Sequence, residues 1–121
     1  MNTILVIDDE AAMRQVIEKM LVSGGYTVLS AQDGAEGIDI LNKEGANAVI
    51  LDLQMPGTDG IGILKELRKM RPELPVIILS GFNDPDVQNE VINLGASGFV
   101  SKPFRMNELL DTVKKTLLRP E

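Results

Sequence analysis

Apolar residues along this chain follow two alternating rhythms. Short continuous runs occupy Ile4–Ile7, Thr27–Ser30, Ala48–Leu51, Val76–Leu79 and Gly98–Val100. Three of these are almost wholly aliphatic and rich in β-branched residues, as parallel strands covered on both faces are. Between the runs, apolar residues recur at helical spacing. Met13, Val16, Ile17, Met20 and Leu21 fall at i, i+3, i+4, i+7 and i+8, and Gly24-Gly25 ends that segment. Ile38 and Leu41 mark a short second helix, and Ile63, Leu64, Leu67 and Met70 a third. Val87, Val91 and Leu94 mark a fourth, closed by Gly95; Leu109, Leu110, Val113 and Leu117 mark a fifth, stopped near Pro120. The alternation predicts a (βα)5 α/β domain, a parallel sheet with helices on both faces.

At 121 residues the chain suits a single domain, 1–121, either a complete small protein or a domain cut from a longer one. It has neither cysteine nor histidine, which excludes disulfides, thiolate and imidazole metal sites, and Ser-His-Asp or Cys-His catalysis. With 12 basic and 18 acidic residues the formal charge is −6, the wrong sign for displacing counterions from nucleic acid. The longest apolar runs are far short of a membrane span, and no basic segment precedes the first of them. The expectation is an acidic cytoplasmic domain that contacts neither membrane nor nucleic acid directly.

Polar residues follow the apolar runs at one end. Asp8-Asp9-Glu10 follows the first, Asp52 the third, Ser80 the fourth and Ser101-Lys102-Pro103 the fifth; Ser30-Ala31-Gln32, at the second, adds no charge. Ligands of an open parallel sheet bind outside the carboxyl ends of the strands. Three carboxylates converging there repel one another unless positive charge sits among them. Mg²⁺ answers that need, since it takes oxygen ligands, keeps several waters and binds one or two carboxylates plus a phosphate oxygen. Lys102 supplies a mobile point charge for phosphate or carboxylate. Ser80 supplies a hydroxyl that donates to a phosphoryl oxygen. Singly, each residue has an ordinary explanation: Asp9 or Glu10 favours a helix N-terminus, Asp52 with Met55-Pro56-Gly57 makes a turn, and Lys102-Pro103 forms a loop. Four such hits at four strand ends are not explained that way.

Asp8-Asp9, Asp52 with Met55-Pro56-Gly57 and Asp59-Gly60, Ser80, and Gly95-Ala96 leading to Phe99 and Lys102-Pro103 resemble the receiver domains of bacterial response regulators. The resemblance implies a flavodoxin-like sheet of strand order 2-1-3-4-5 and a phosphorylation-activated signalling switch. Asp52 is then the acceptor, and a cytoplasmic histidine kinase or phosphotransfer protein the donor. The domain catalyses only its own phosphoryl uptake and slow loss. By the same resemblance Mg²⁺, with Mn²⁺ as a substitute, is held directly by Asp9 and Asp52, by Asp8 mainly through water, and by the Gln54 backbone carbonyl. Lys102 contacts the phosphoryl group, Ser80 moves to bond it, and Phe99 turns inward as Ser80 moves, unless Phe99 is simply a core aromatic. Gln54 and Phe82 flank the approach of water to phosphorus; the Gln54 amide orients a water and Phe82 shields. Readout falls on the fourth helix, fifth strand and fifth helix, roughly 84–118, toward an output domain, an effector or a second copy in a homodimer. The family also places a cis bond before the proline of its Lys-Pro pair, here Lys102-Pro103, as the residue type permits.

Three other readings fit less well. A phosphatase of the haloacid dehalogenase type places two aspartates two apart after strand one, where this chain has Asp8 and Glu10. A flavodoxin-like nucleotide binder offers glycines and hydroxyls to a phosphate, whereas Asp8-Asp9-Glu10 repels one. A receiver-like interaction module that works without phosphorylation has no need of a full acceptor set, and no member of that set is missing.

Overall fold

The structure is a computed structural model that describes residues 2–55, 59–81 and 84–118. Pro56, Gly57, Phe82 and Pro120, singled out above, lie outside the described residues. In chain order the elements are β1 (Thr3–Ile7), α1 (Ala11–Ser23), β2 (Thr27–Ala31), α2 (Gly34–Glu44), β3 (Ala48–Asp52), α3 (Gly60–Met70), β4 (Val76–Ser80), α4 (Pro85–Asn93), β5 (Gly98–Ser101) and α5 (Met106–Leu117). The strands form one parallel sheet in the order β2-β1-β3-β4-β5, as the resemblance implies.

The aliphatic runs are explained by what covers them. Side chains of a strand alternate between faces. Leu5, Ile7, Val49, Leu51, Val76 and Ile78 pack with Leu41, Ile63, Leu64, Leu67 and Val91 of α2, α3 and α4. Ile4, Val6, Ala48, Ile50, Ile77 and Leu79 pack on the other side with Ile17 and Leu21 of α1 and Leu109 and Val113 of α5. β3 and β4 are buried along their whole length, while the edge strands β2 and β5 are only partly covered. Burying each large aliphatic side chain in such a core stabilises the fold by about 2 kcal/mol relative to exposure.

The structure differs from the hydrophobic pattern in two places. The last four strands each run one residue beyond the apolar run, so Asp52, Ser80 and Ser101 are the last strand residues rather than the first loop residues. The backbone ladder holds them there: Asp52 pairs with Leu79, and Ser80 with Ser101. Second, α2 is not short but spans eleven residues. Its apolar markers are few because glycines stand at its contacts. A Cβ on Gly37 would lie 2.5 Å from Ile7 Cδ1, and one on Gly34 2.7 Å from Ile63 Cδ1, so close packing replaces the hydrophobic signal.

The helix boundaries follow their caps. Asp33, Asp59 and Asp84 each accept a backbone N–H of the first turn, and Pro85 takes the first position of α4. Gly25 and Gly95, with φ of 93° and 100°, carry the chain out of α1 and α4 in the left-handed region where a side chain is strained.

Candidate functional site

Parallel topology brings the ends of β1, β3, β4 and β5 to one rim of the sheet. β1 delivers Asp8, whose backbone N–H still bonds the Ala31 carbonyl at 3.1 Å and so fixes it in the ladder. Its side chain is fully buried. Oδ1 accepts the Glu10 N–H at 2.9 Å, and Oδ2 is buried without a partner. Burial pushes the Asp8 carboxyl up to about 6. The nearby Asp52 and Asp9 carboxylates add to the rise, while the Glu10 N–H and Lys102 oppose it. Asp9 and Glu10 are exposed, and one carboxylate oxygen from each lies within 4.8 Å of the others and of Asp8.

Asp52 ends the central strand with 1% of its surface exposed. Its Oδ1 accepts the Gln54 N–H at 3.0 Å and pairs with Lys102 Nζ at 3.3 Å; its Oδ2, like that of Asp8, is buried without a partner. Ser80 is fully buried at the end of β4. The Lys102 N–H bonds the Ser80 carbonyl at 2.9 Å, so the lysine is tied to the tip of β4. The Lys102-Pro103 bond is cis, as expected. Phe99 lies opposite Ile78, two residues before Ser80, on the α2–α4 side of the sheet, and is half-buried there. Asp8, Asp9, Asp52, Ser80 and Lys102 are thus gathered at one rim, with Phe99 one layer below.

Two contacts were not legible in the sequence. Arg14, in the first turn of α1, donates from Nη1 to the Asp8 carbonyl at 2.7 Å and brings a guanidinium to the acidic loop. Its only signal was an arginine six residues after the acidic pair began, a spacing no different from that of an ordinary surface cation. The Gln54 side chain offers its Oε1 to the Gly81 N–H at 2.5 Å.

The donor set suits a hard divalent cation. Two buried carboxylate oxygens without hydrogen-bond partners, in Asp8 and Asp52, are costly unless a cation or bound water satisfies them. All the side-chain donors are oxygens, the ligand type Mg²⁺ takes. Lys102 offsets part of the negative charge on Asp52 but leaves both Oδ2 atoms unpaired.

Among the described residues no helix is long and apolar enough to cross a membrane. The model of the response regulator receiver domain family matches residues 4–114. A probable transcriptional regulator, ycf27, of Porphyridium aerugineum is 42% identical over 116 residues, which are 96% of this chain and 48% of that protein. Sporulation initiation phosphotransferase F of Bacillus subtilis is 36% identical over 94% of this chain and 92% of its own length. Among solved structures, chemotaxis protein CheY4 of Vibrio cholerae superposes with a TM-score of 0.91 at 30% identity, covering 96% of this chain and 98% of that one. The chain spans about half the length of the transcriptional regulators it matches. A rim of buried carboxylates, a lysine and a serine, on a sheet of this order and with a family match over nearly its whole length, makes the chain a member of the response regulator receiver domain family, the phosphorylation-activated switches of two-component signalling.

Proposed function

We propose that Asp52 is the phosphoacceptor, taking a phosphoryl group from a histidine kinase or phosphotransfer protein in an Mg²⁺-dependent reaction. The observation that carries this reading is the Asp52 carboxylate itself, buried at a strand end, with one oxygen held by Lys102 and the Gln54 N–H and the other unpartnered. Asp9, Asp52, Asp8 and the Gln54 backbone carbonyl would hold the metal, which neutralises charge on the transferring phosphoryl group. Lys102 exchanges its Asp52 oxygen for a phosphoryl oxygen, and the Ser80 hydroxyl donates to another. Arg14 keeps the acidic loop in place through the Asp8 carbonyl.

Phosphorylation adds about −1.5 to −2 charge and three acceptor oxygens. Moving a population from 1:99 to 99:1 takes roughly 5.5 kcal/mol of differential interaction, which a metal, a lysine and a hydroxyl on one group can supply. The change is read out on α4, β5 and α5, where Phe99 follows Ser80. An output domain, an effector or a second copy receives it. In this reading the cell compartment is the cytoplasm, and 1–121 acts as one receiver. Gln54 and Phe82 set how long the phosphoryl group lasts. Similarity to the sporulation phosphotransferase supports a second reading, in which the group is passed on to another protein.

The test is incubation with Mg²⁺ and a small acyl phosphate, followed by mass spectrometry. Retention of one phosphoryl group on Asp52 is expected. Steady turnover without retention would indicate a phosphatase, and no uptake an interaction module.

A further inference from the structure

The Gln54 carboxamide occupies a backbone donor at the mouth of the acceptor site. Gln54 lies two residues beyond Asp52 and Gly81 one beyond Ser80, just past the ends of neighbouring strands whose ladder continues through the Leu53 N–H to the Leu79 carbonyl at 3.0 Å. The side chain crosses from one strand end to the other and its Oε1 accepts the Gly81 N–H at 2.5 Å. Gly81 is suited to this approach, since a Cβ there would lie 2.9 Å from that oxygen. The Gly81 N–H is the first backbone donor past Ser80, and its present partner is the uncharged amide oxygen of Gln54, two residues beyond Asp52.

Resting on the phosphoacceptor reading, we propose that Gln54 is a positioning residue that restrains the unphosphorylated state. Its Oε1 holds the Gly81 N–H as a phosphoryl oxygen would, and phosphorylation exchanges one acceptor for the other. In the transfer, a bond forms between an Asp52 oxygen and phosphorus as the bond from phosphorus to the donor's leaving atom breaks, and that electron pair departs with the donor. The phosphoryl oxygens of the product then compete for Gly81 with the advantage of charge, because hydrogen bonds to an ionised acceptor are roughly twice as strong as neutral ones. The same exchange frees the Gln54 amide only after phosphorylation. The side chain therefore restrains uptake first and reaches water second.

The experiment compares wild type, Gln54→Ala and Gln54→Asn, each with Mg²⁺ and acetyl phosphate. It follows phosphoryl uptake on Asp52 and the amide NMR signal of Gly81 before and after uptake. In the unphosphorylated protein, the Gly81 N–H of wild type should be shifted and protected from hydrogen exchange, and in Gln54→Ala it should lose both. Uptake should be about fivefold faster in Gln54→Ala, the size of effect that one net neutral hydrogen bond produces. Gln54→Asn keeps the amide but is one methylene short, so it should behave like Gln54→Ala. Uptake by wild type with an unchanged Gly81 signal in Gln54→Ala, or with Gln54→Asn matching wild type, would overturn the restraint while leaving the phosphoacceptor reading intact. No uptake by any of the three would overturn both.

Discussion

The two ends of the sheet differ in how their polar groups are paired. At the amino end, strand starts are closed by neutral side-chain bonds: Asn47 Oδ1 accepts the Thr3 N–H at 2.7 Å, and Ser97 Oγ accepts the Val76 N–H at 3.3 Å. Arg68 is the exception there. It donates from Nη1 to the Pro72 carbonyl at 2.9 Å, but its Nε and Nη2 are buried without partners, and burial lowers its pKa against the pull of Glu73. At the carboxyl end, Asp8 and Asp52 are both buried, Lys102 pairs with one Asp52 oxygen, and one oxygen of each aspartate has no hydrogen-bond partner among the described residues. Apart from Arg68, the polar groups named at the amino end are paired within the fold. The other end carries a shortage of positive charge that a cation would relieve, and stability is given up there in exchange for a site.

The sharpest way to break this contrast is Asp52→Asn. The amide is not a nucleophile toward phosphorus, so phosphoryl uptake should vanish while the protein stays folded; mass spectrometry showing undiminished uptake would remove Asp52 from the site. Next in size is Lys102→Ala. Uptake should fall by about tenfold or more, and hydrogen-exchange protection across residues 84–118 should no longer respond to phosphorylation, because the charge joining β5 to the phosphoryl group is gone. A response as large as that of wild type would show that the lysine is not the link.

The deficit itself is measurable through Asp8. Its carboxyl has an ordinary value of 3.8 and is pushed up to about 6 in the fold, so the folded state holds the proton more tightly than the unfolded one. Without metal, the stability present below the unfolded value is therefore lost as pH rises through about 6. Asp8→Asn should flatten that slope and, in chelator at pH 7.5, raise unfolding free energy by about 1–2 kcal/mol, the gain reduced by burying an amide. Denaturant titrations at pH 4.5 and 7.5 check it; a mutant less stable than wild type at both would mean that no such penalty exists. The smallest effect belongs to the other end. Asn47→Ala leaves the Thr3 N–H without its acceptor and should cost about 1 kcal/mol with phosphoryl uptake unchanged. A change in uptake would mean that the two ends are not independent.

The sheet was legible because strands covered on both faces must be aliphatic throughout, and the acidic residues, Ser80 and Lys102 were legible because parallel topology sends every strand end to the same rim. What escaped was whatever packs without apolar side chains or bonds without a motif. Gly34 and Gly37 build the α2 contact by having nothing there, so the helix reads as shorter than it is. The one-residue strand extensions depend on ladder bonds that polar residues make as well as apolar ones. Arg14 and the Gln54 amide act through backbone partners, Asp8 and Gly81, whose identity leaves no mark on the sequence pattern.

Strand order also fixes a distance. Asp52 closes the third strand, and Phe99 sits on the fifth, two ladder steps or about 10 Å across the sheet. The intervening strand, β4, is buried from end to end, and a close-packed interior of that kind transmits displacement instead of absorbing it. β5 differs in being four residues long, partly exposed and, among the described residues, bordered by no further strand. Were a force applied at Asp52, it would meet a buried spacer on this side of the sheet before it reached a short, partly exposed margin, where displacement costs the fewest packed contacts.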